Sequence, residues 1–254
     1  MTLILLAYAS WRDWKSREVS NWVWIFLGCA GGFLTGLRVF IWFRPTPFLW
    51  GLGLALLTVI ALTLYYVGLM GGADAKALIC LGLALPTLPS FLNPILGVWI
   101  VFLPFTVFFN TFLLAALTIL YVALRNFYCW VRGRRIFEGF EGEPLRRKIA
   151  AFLVAYKVNR NRLYGNPGLS LAEETRPDGG RKWSFRLRVD LGGDEASASL
   201  PEEVWVTPQL PLLVFITLAV AVSLVFGDLV LQIMVQVLGF SGFEGYVDFC
   251  FGWG

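Results

Sequence analysis

Six apolar segments separated by polar stretches run along the chain, at residues 1–11, 22–43, 48–70, 77–88, 95–124 and 210–226. Several of them reach the roughly 20 residues that a helix needs to cross a bilayer. The pattern predicts an all-α polytopic membrane protein with about six transmembrane helices. Pro104 is expected to kink the fifth helix, because a proline inside a helix removes a backbone hydrogen bond and clashes with the preceding turn.

The region from residue 125 to 207 is polar and basic. Residues 146–164 predict a helix with apolar side chains on one face, which suits contact with either the membrane surface or the core of this region. Residues 183–189 alternate apolar and polar side chains and predict a half-buried strand, and a second short strand is predicted at 204–206. The region is therefore expected to be a small soluble α+β insert before the last span.

These patterns divide the chain into three parts. The first five spans form a transmembrane core at 1–124, the soluble insert covers 125–207, and the sixth span with an apolar tail covers 208–254. Thr207 and Pro208 predict the start of the sixth helix, because threonine caps helices and proline suits the first helical position.

The distribution of positive charge predicts the orientation of the chain. Six spans place the stretches around Asp13 and Asp74 on the same side as the insert, and every lysine and arginine except Arg38 and Arg44 falls on that side. Because positively charged loops stay in the cytoplasm, we expect both aspartates and the insert to face the cytoplasm of a cell-membrane protein. The net charge of +4 then reflects membrane topology, and no nucleic-acid partner is predicted.

The composition restricts the chemistry that the chain can perform. It contains no histidine, and its four cysteines are scattered without a Cys-x-x-Cys pair. A zinc site and a histidine-based catalytic triad are therefore not expected. No cofactor and no metal are predicted.

Asp13 and Asp74 are the candidate catalytic residues. Each lies at the edge of an apolar segment, where a carboxylate is costly and marks a functional candidate. Two carboxylates held close together cannot both ionise readily, so one keeps a proton near neutral pH. The ionised member can take a proton from an attacking water, while the protonated member hydrogen-bonds the peptide carbonyl. This is the chemistry of an aspartic peptidase.

The residues around Asp74 have two interpretations each. Gly71 and Gly72 permit backbone conformations and close approaches that other residues do not, or they end the third helix as a C-cap. Lys76 can tune the carboxylate of Asp74, or it can anchor the fourth helix at the membrane interface. The residues alone leave these alternatives open.

Two motifs resemble those of the type IV prepilin peptidases, which are GxGD-type membrane aspartyl proteases. The first is Asp13-x-x-x-Arg17-x-Val19-Ser20-Asn21, at the end of the first span. The second is Gly71-Gly72-Ala73-Asp74 followed by Lys76, which is similar to the family's Gly-x-Gly-Asp motif and its lysine. The stretch 202–211, together with the six-span layout and the insert, resembles the archaeal preflagellin peptidases in particular.

The resemblance implies a membrane aspartyl endopeptidase that removes a short basic leader from preflagellins or pilin-like precursors at the cytoplasmic membrane face. Asp13 and Asp74 would be catalytic, and the surrounding motif residues would support them: Arg17, Asn21, Gly71, Gly72, Ala73 and Lys76. Two positions depart from the family pattern, because Ala73 replaces its second glycine and Ser20 replaces a frequent proline. Relatives that methylate their product usually carry paired Cys-x-x-Cys motifs, so cleavage without N-methylation is expected.

Two other functions fit the same residues. A proton- or cation-coupled transporter also uses intramembrane carboxylates and glycine-broken helices, although no internal repeat is apparent. A membrane scaffold could bind a partner through its insert and keep the aspartates as interfacial charges.

Overall fold

The chain is mostly helical, with a small region of strands. A computed structural model describes residues 1–42, 46–97, 100–164, 168–175, 181–183, 201–209 and 211–238. The helices are α1 (Thr2–Ser16), α2 (Asn21–Trp42), α3 (Pro47–Tyr66), α4 (Gly72–Ala84), α5 (Leu103–Val131), α6 (Leu145–Val154), α7 (Asn161–Tyr164), α8 (Leu212–Val225) and α9 (Leu229–Leu238). The strands are β1 (Tyr156–Asn159), β2 (Leu169–Leu171), β3 (Glu173–Thr175), β4 (Arg181–Trp183) and β5 (Glu203–Pro208).

Within the described ranges, three helices are long and apolar enough to cross a membrane, over residues 21–41, 47–66 and 103–131. Helices α8 and α9 meet at a bend of 62° and could together form a fourth span. Helices α1 and α4 are shorter, with 15 and 13 residues. A mostly helical chain with several membrane-spanning helices is therefore confirmed, while the number of six spans stays a prediction.

The chain divides into two compact units. We call them the membrane unit, which contains residues 1–114 and the described residues from 211 onward, and the insert unit, which contains residues 115–210. Of the apolar tail predicted at 227–254, the structure describes residues 227–238, which contain α9, and residues 239–254 lie outside the described residues.

Helix α4 lies at the centre of the membrane unit. It packs against α2, α3, α8 and α1, and its residues Ala77 and Leu78 are almost completely buried. Helix α2 approaches α4 closely at Gly31, where an added Cβ atom would lie 2.3 Å from the Cβ of Ala84. Small residues at such contacts let helix backbones approach each other in lipid. A short helix enclosed in this way carries its first turn, with Asp74, into the interior of the unit.

We expect Gly31→Ala to destabilise the membrane unit by about 1–3 kcal/mol, because the new methyl group must push α2 away from α4. Gly36→Ala is the matched control on the same helix, since a Cβ atom there meets nothing within 4 Å. Denaturation of both variants in detergent measures the effect. Equal stability of the two variants would contradict the close contact.

The structure contradicts two predictions made from prolines, the kink in the fifth helix and the start of the sixth. Pro104 lies in the first turn of α5, where its missing N–H has no helical partner to lose, so it begins the helix instead of kinking it. Thr207 and Pro208 lie in β5, and α8 begins only at Leu212. Pairing of β5 with β1 and β2 extends the strand through the residues that resemble a helix start.

The insert unit has an antiparallel sheet in the order β1-β5-β2 and a separate pair of β3 with β4. The strand predicted at 204–206 is confirmed as part of β5. The strand predicted at 183–189 is described only at Trp183, in β4, and its other residues lie outside the described ranges. The helix predicted at 146–164 is wrong at 155–160, because α6 ends at Val154 and the chain continues as β1 before the short helix α7 begins at Asn161.

Candidate active site

The first turn of α4 holds the carboxylate of Asp74. The backbone N–H of Gly71 donates to Asp74 Oδ2 at 3.0 Å, and only 9% of the residue is exposed. An acidic side chain at this position also complements the positive end of the helix dipole. Local helix chemistry therefore explains why an aspartate is stable here.

The two glycines leave room beside this carboxylate. Gly71 has a φ of −73°, which any residue adopts, but a Cβ atom there would lie 2.8 Å from Asp74 Oδ2. A Cβ atom at Gly72 would lie 3.3 Å from the ring of Tyr65. The C-cap interpretation is wrong, because α3 already ends before its C-cap at Val67. Close approach of the carboxylate is the physical reason for a glycine at 71.

Ala73 fits its position without backbone strain. It lies within α4, and among the described residues other than glycine only Arg17 has a positive φ. Alanine is the residue that helices favour most. The departure from the family's second glycine is therefore compatible with this local fold.

Asp13 lies in the last turn of α1, beside the residue that ends the helix. Arg17 adopts the left-handed conformation with a φ of 56°, and its backbone N–H donates to the carbonyl oxygen of Asp13 at 3.0 Å. Asp13 is partly buried. This helix end places an arginine within electrostatic reach of both aspartates.

Burial raises the pKa of both carboxyl groups, which lie outside the helices able to span the membrane. Burial, reinforced by the negative charge of Asp13, raises the pKa of Asp74 to about 7. The Gly71 N–H, the Arg17 charge and the Leu213 N–H oppose that shift. Burial also raises the pKa of Asp13, and Arg17 opposes it. The two aspartates, 61 positions apart on a chain of 254 residues, are thus close enough to influence each other.

Lys76 and Asn21 connect the two motifs directly. Lys76 Nζ donates to Asn21 Oδ1 at 2.9 Å, and this bond ties the first turn of α4 to the first residue of α2. The lysine therefore links two helix starts, which neither sequence interpretation of Lys76 anticipated.

Three residues outside the motifs also shape the site. The hydroxyl of Ser10 donates to the carbonyl of Leu213 at 2.9 Å and lies 2.6 Å from the hydroxyl of Thr217. These bonds join α1 to α8 one helical turn before Asp13. The available signal in the sequence is Ser10 itself, a small polar residue two positions before the charged stretch that begins at Arg12.

The charges of Asp13 and Arg17 act on Asp74 in opposite directions, Asp13 raising its pKa and Arg17 lowering it. Among the described residues, no group of three or more histidine, cysteine, aspartate or glutamate side chains could hold a metal ion.

Comparison with known proteins identifies the family. Residues 1–124 match the type IV leader peptidase family, and residues 185–229 match the archaeal peptidase A24 C-terminus type II. The chain is 27% identical to a preflagellin peptidase of Methanococcus voltae, over 92% of this chain and 97% of the relative. It is 26% identical to a preflagellin peptidase of Methanococcus maripaludis, over 91% and 95%. A preflagellin peptidase of Methanocaldococcus jannaschii is 25% identical, over 92% and 95%.

Both motif regions fall within the first of these matches, and similarity to the three relatives extends over nearly the whole chain. The chain is a multi-pass membrane protein and a protease, and it belongs to the type IV leader peptidase family.

Proposed function

We propose that this chain removes the short basic leader from preflagellin or pilin-like precursors, with Asp13 and Asp74 as its catalytic pair. Membership of the leader peptidase family supports the reaction, and the names of the relatives support the class of substrate. The observation that carries the assignment of the site is the pKa of Asp74, which burial and the charge of Asp13 raise to about 7. One proton shared by two carboxyl groups at neutral pH is what aspartic peptidase chemistry needs.

The two carboxyl groups take different roles in this proposal. The charge of Asp13 raises the pKa of Asp74, so Asp13 is the ionised member and Asp74 keeps the proton. Asp13 accepts a proton from water as the water oxygen attacks the scissile carbonyl carbon, and Asp74 donates its proton to the carbonyl oxygen. When the tetrahedral intermediate collapses, the proton on Asp13 moves to the leaving nitrogen, the C–N bond breaks, and the new acid's hydroxyl returns a proton to Asp74.

Arg17 lowers the proton affinity of both carboxyl groups, against the larger effect of burial. A non-glycine residue with positive φ costs free energy, and Arg17 adopts that conformation at the end of α1. Its charge lowers the pKa of both aspartates against the effect of burial. Without the charge of Arg17, Asp13 would keep its proton up to a higher pH. It could then act as a base only over a narrower pH interval.

Charge and helix geometry support a cytoplasmic site and a substrate that is partly embedded in the membrane. The lysine and arginine distribution supports a cytoplasmic position for both aspartates. The precursor's apolar helix would lie in the bilayer, while its leader reaches the ends of α1 and α4 as an extended strand, because a helical backbone hides its carbonyls in hydrogen bonds. The comparisons give no support to the transporter alternative.

Leader removal should depend on pH through both carboxyl groups. Activity is expected to fall as the pH rises through about 7, where Asp74 loses its proton, and to fall again at acidic pH, where Asp13 becomes protonated. The assay follows the size of a preflagellin on gels after incubation with the purified protein in detergent. Activity that still rises well above pH 8 would contradict a protonated Asp74.

Arg17→Gln tests whether the charge of Arg17 shifts the pH dependence of leader removal. Its loss of charge raises the pKa of both aspartates, so both limbs of the profile are expected to move to higher pH. Arg12→Gln removes a neighbouring positive charge that is not among the causes of either shift, and it should leave the profile in place. Equal movement in both variants would assign the effect to general surface charge.

A further inference from the structure

Helix α6 exposes an apolar stripe. Leu145, Ile149 and Leu153 follow one another at intervals of four residues, and their exposed fractions are 71%, 51% and 37%. Residues at this spacing lie on one face of a helix. Exposed apolar residues in such a row are a signal of a surface that contacts something other than water.

The opposite side of α6 is held by the insert unit itself. Ala151 is fully buried, and it belongs to the aromatic core that contains Phe140 and Trp205. The side-chain amide of Asn126 on α5 donates to the carbonyl oxygens of Phe152 at 2.8 Å and Ala155 at 2.7 Å. These bonds fix the carboxyl end of α6 to one point on α5, with the apolar stripe turned away from the core.

That point on α5 lies at the depth where the hydrocarbon of a bilayer ends. Residues 103–124 of α5 carry no charged side chain, and at about 1.5 Å per residue they span roughly 33 Å. The hydrocarbon layer is roughly 30 Å thick, so Arg125 and Asn126 fall at its boundary. The exposed rings of Tyr128 and Trp130 follow, and tyrosine and tryptophan are enriched at this interface.

Positive charges flank the stripe. Arg146 and Lys148 lie on opposite sides of it when α6 is viewed along its axis, and one N–H of Lys148 Nζ donates to the backbone carbonyl of Glu141 at 3.0 Å. Arg132, Arg134 and Arg135 follow directly after α5 in the same unit. An apolar face bordered by lysine and arginine is the pattern of a helix that lies in the surface of a membrane containing anionic lipid.

We propose that α6 lies in the plane of the bilayer surface, with Leu145, Ile149 and Leu153 among the acyl chains and with Arg146 and Lys148 at the phosphates of anionic lipids. This contact is independent of the catalytic assignment, because every residue that carries it belongs to the insert unit. It also joins the two sequence interpretations of this helix: one face packs on the insert core and the other meets the membrane.

The test uses the full chain in lipid nanodiscs, with its four native cysteines changed to alanine. A polarity-sensitive fluorophore on Ile149→Cys should be quenched strongly by nitroxide-labelled lipid and weakly by iodide in the buffer. The same fluorophore on Asn161→Cys, an exposed position at the start of α7 and beyond the end of β1, should show the reverse order. Stronger quenching by iodide than by lipid at position 149 would overturn the proposal.

The recognition of charge is tested by lipid composition. Lipid quenching at position 149 should be stronger in discs with about 30% phosphatidylglycerol than in pure phosphatidylcholine, because anionic lipid attracts each basic residue near the surface. Arg146→Gln should lower the docked-to-undocked ratio about fivefold in the anionic discs only. Arg162→Gln, an exposed position on α7, should leave the ratio unchanged. Equal loss in both variants, or no dependence on lipid charge, would overturn the anionic contact.

Discussion

Asp13→Asn and Asp74→Asn are each expected to lower kcat/KM for leader removal by about 10³-fold or more. In the first variant, no base remains to accept the proton of the attacking water. In the second, the amide can hydrogen-bond the carbonyl oxygen but cannot transfer a proton to it. The measurement is the rate at which a preflagellin loses its leader, made at pH 6 to 7 with equal amounts of folded protein.

The thermal stability of these variants separates loss of chemistry from loss of fold. Because burial raises the pKa of Asp74 to about 7, ionising this group in the folded state is unfavourable, and the parent protein loses stability as the pH rises from the unfolded pKa through about 7. Asp74→Asn cannot ionise, so its melting temperature should equal or exceed the parent's above pH 7. Parent-rate cleavage by either variant would show that the assigned pair is wrong.

Gly71→Ala is expected to lower kcat/KM roughly 10- to 100-fold while leaving the stability nearly unchanged. The new Cβ atom would lie 2.8 Å from Asp74 Oδ2, and the carboxylate can avoid it only by turning away from the Gly71 N–H. Misplacing a reacting group by about 1 Å can lower the rate roughly 100-fold, which sets the expected range. The backbone itself adopts a φ of −73° at this position, so alanine adds no strain there.

Gly72→Ala is the matched control for this variant. Its Cβ atom would meet the ring of Tyr65 at 3.3 Å and would leave the carboxylate in place, so activity should stay within a few-fold of the parent.

The pH profile of Gly71→Ala adds a second measurement, because the Gly71 N–H opposes the rise in the pKa of Asp74. Gly71→Ala should therefore move the alkaline limb to higher pH. An unchanged profile with full activity would show that Gly71 does not position the carboxylate.

The local features of the site could be predicted because each one depends on a few neighbouring residues. The apolar runs identified the long helices α2, α3 and α5, and the two motifs identified the ends of α1 and α4 that carry the aspartates. The predictions that failed also relied on local signals, and strand pairing with residues far away in the sequence outweighed those signals. Thr207 and Pro208 resemble a helix start, but hydrogen bonds between β5 and two strands from earlier in the chain keep them extended.

Side-chain type and spacing are enough to predict that the long apolar segments form membrane helices and that Asp13 and Asp74 lie at helix ends. The depth at which Asp74 is buried, the action of the Leu213 N–H and the Asp13 charge on it, and the bond from Lys76 to Asn21 follow from the packing of distant segments and could not be predicted in this way. Burial and electrostatic coupling depend on which distant segments pack around a residue, and the enclosure of α4 by four other helices is a property of the whole membrane unit.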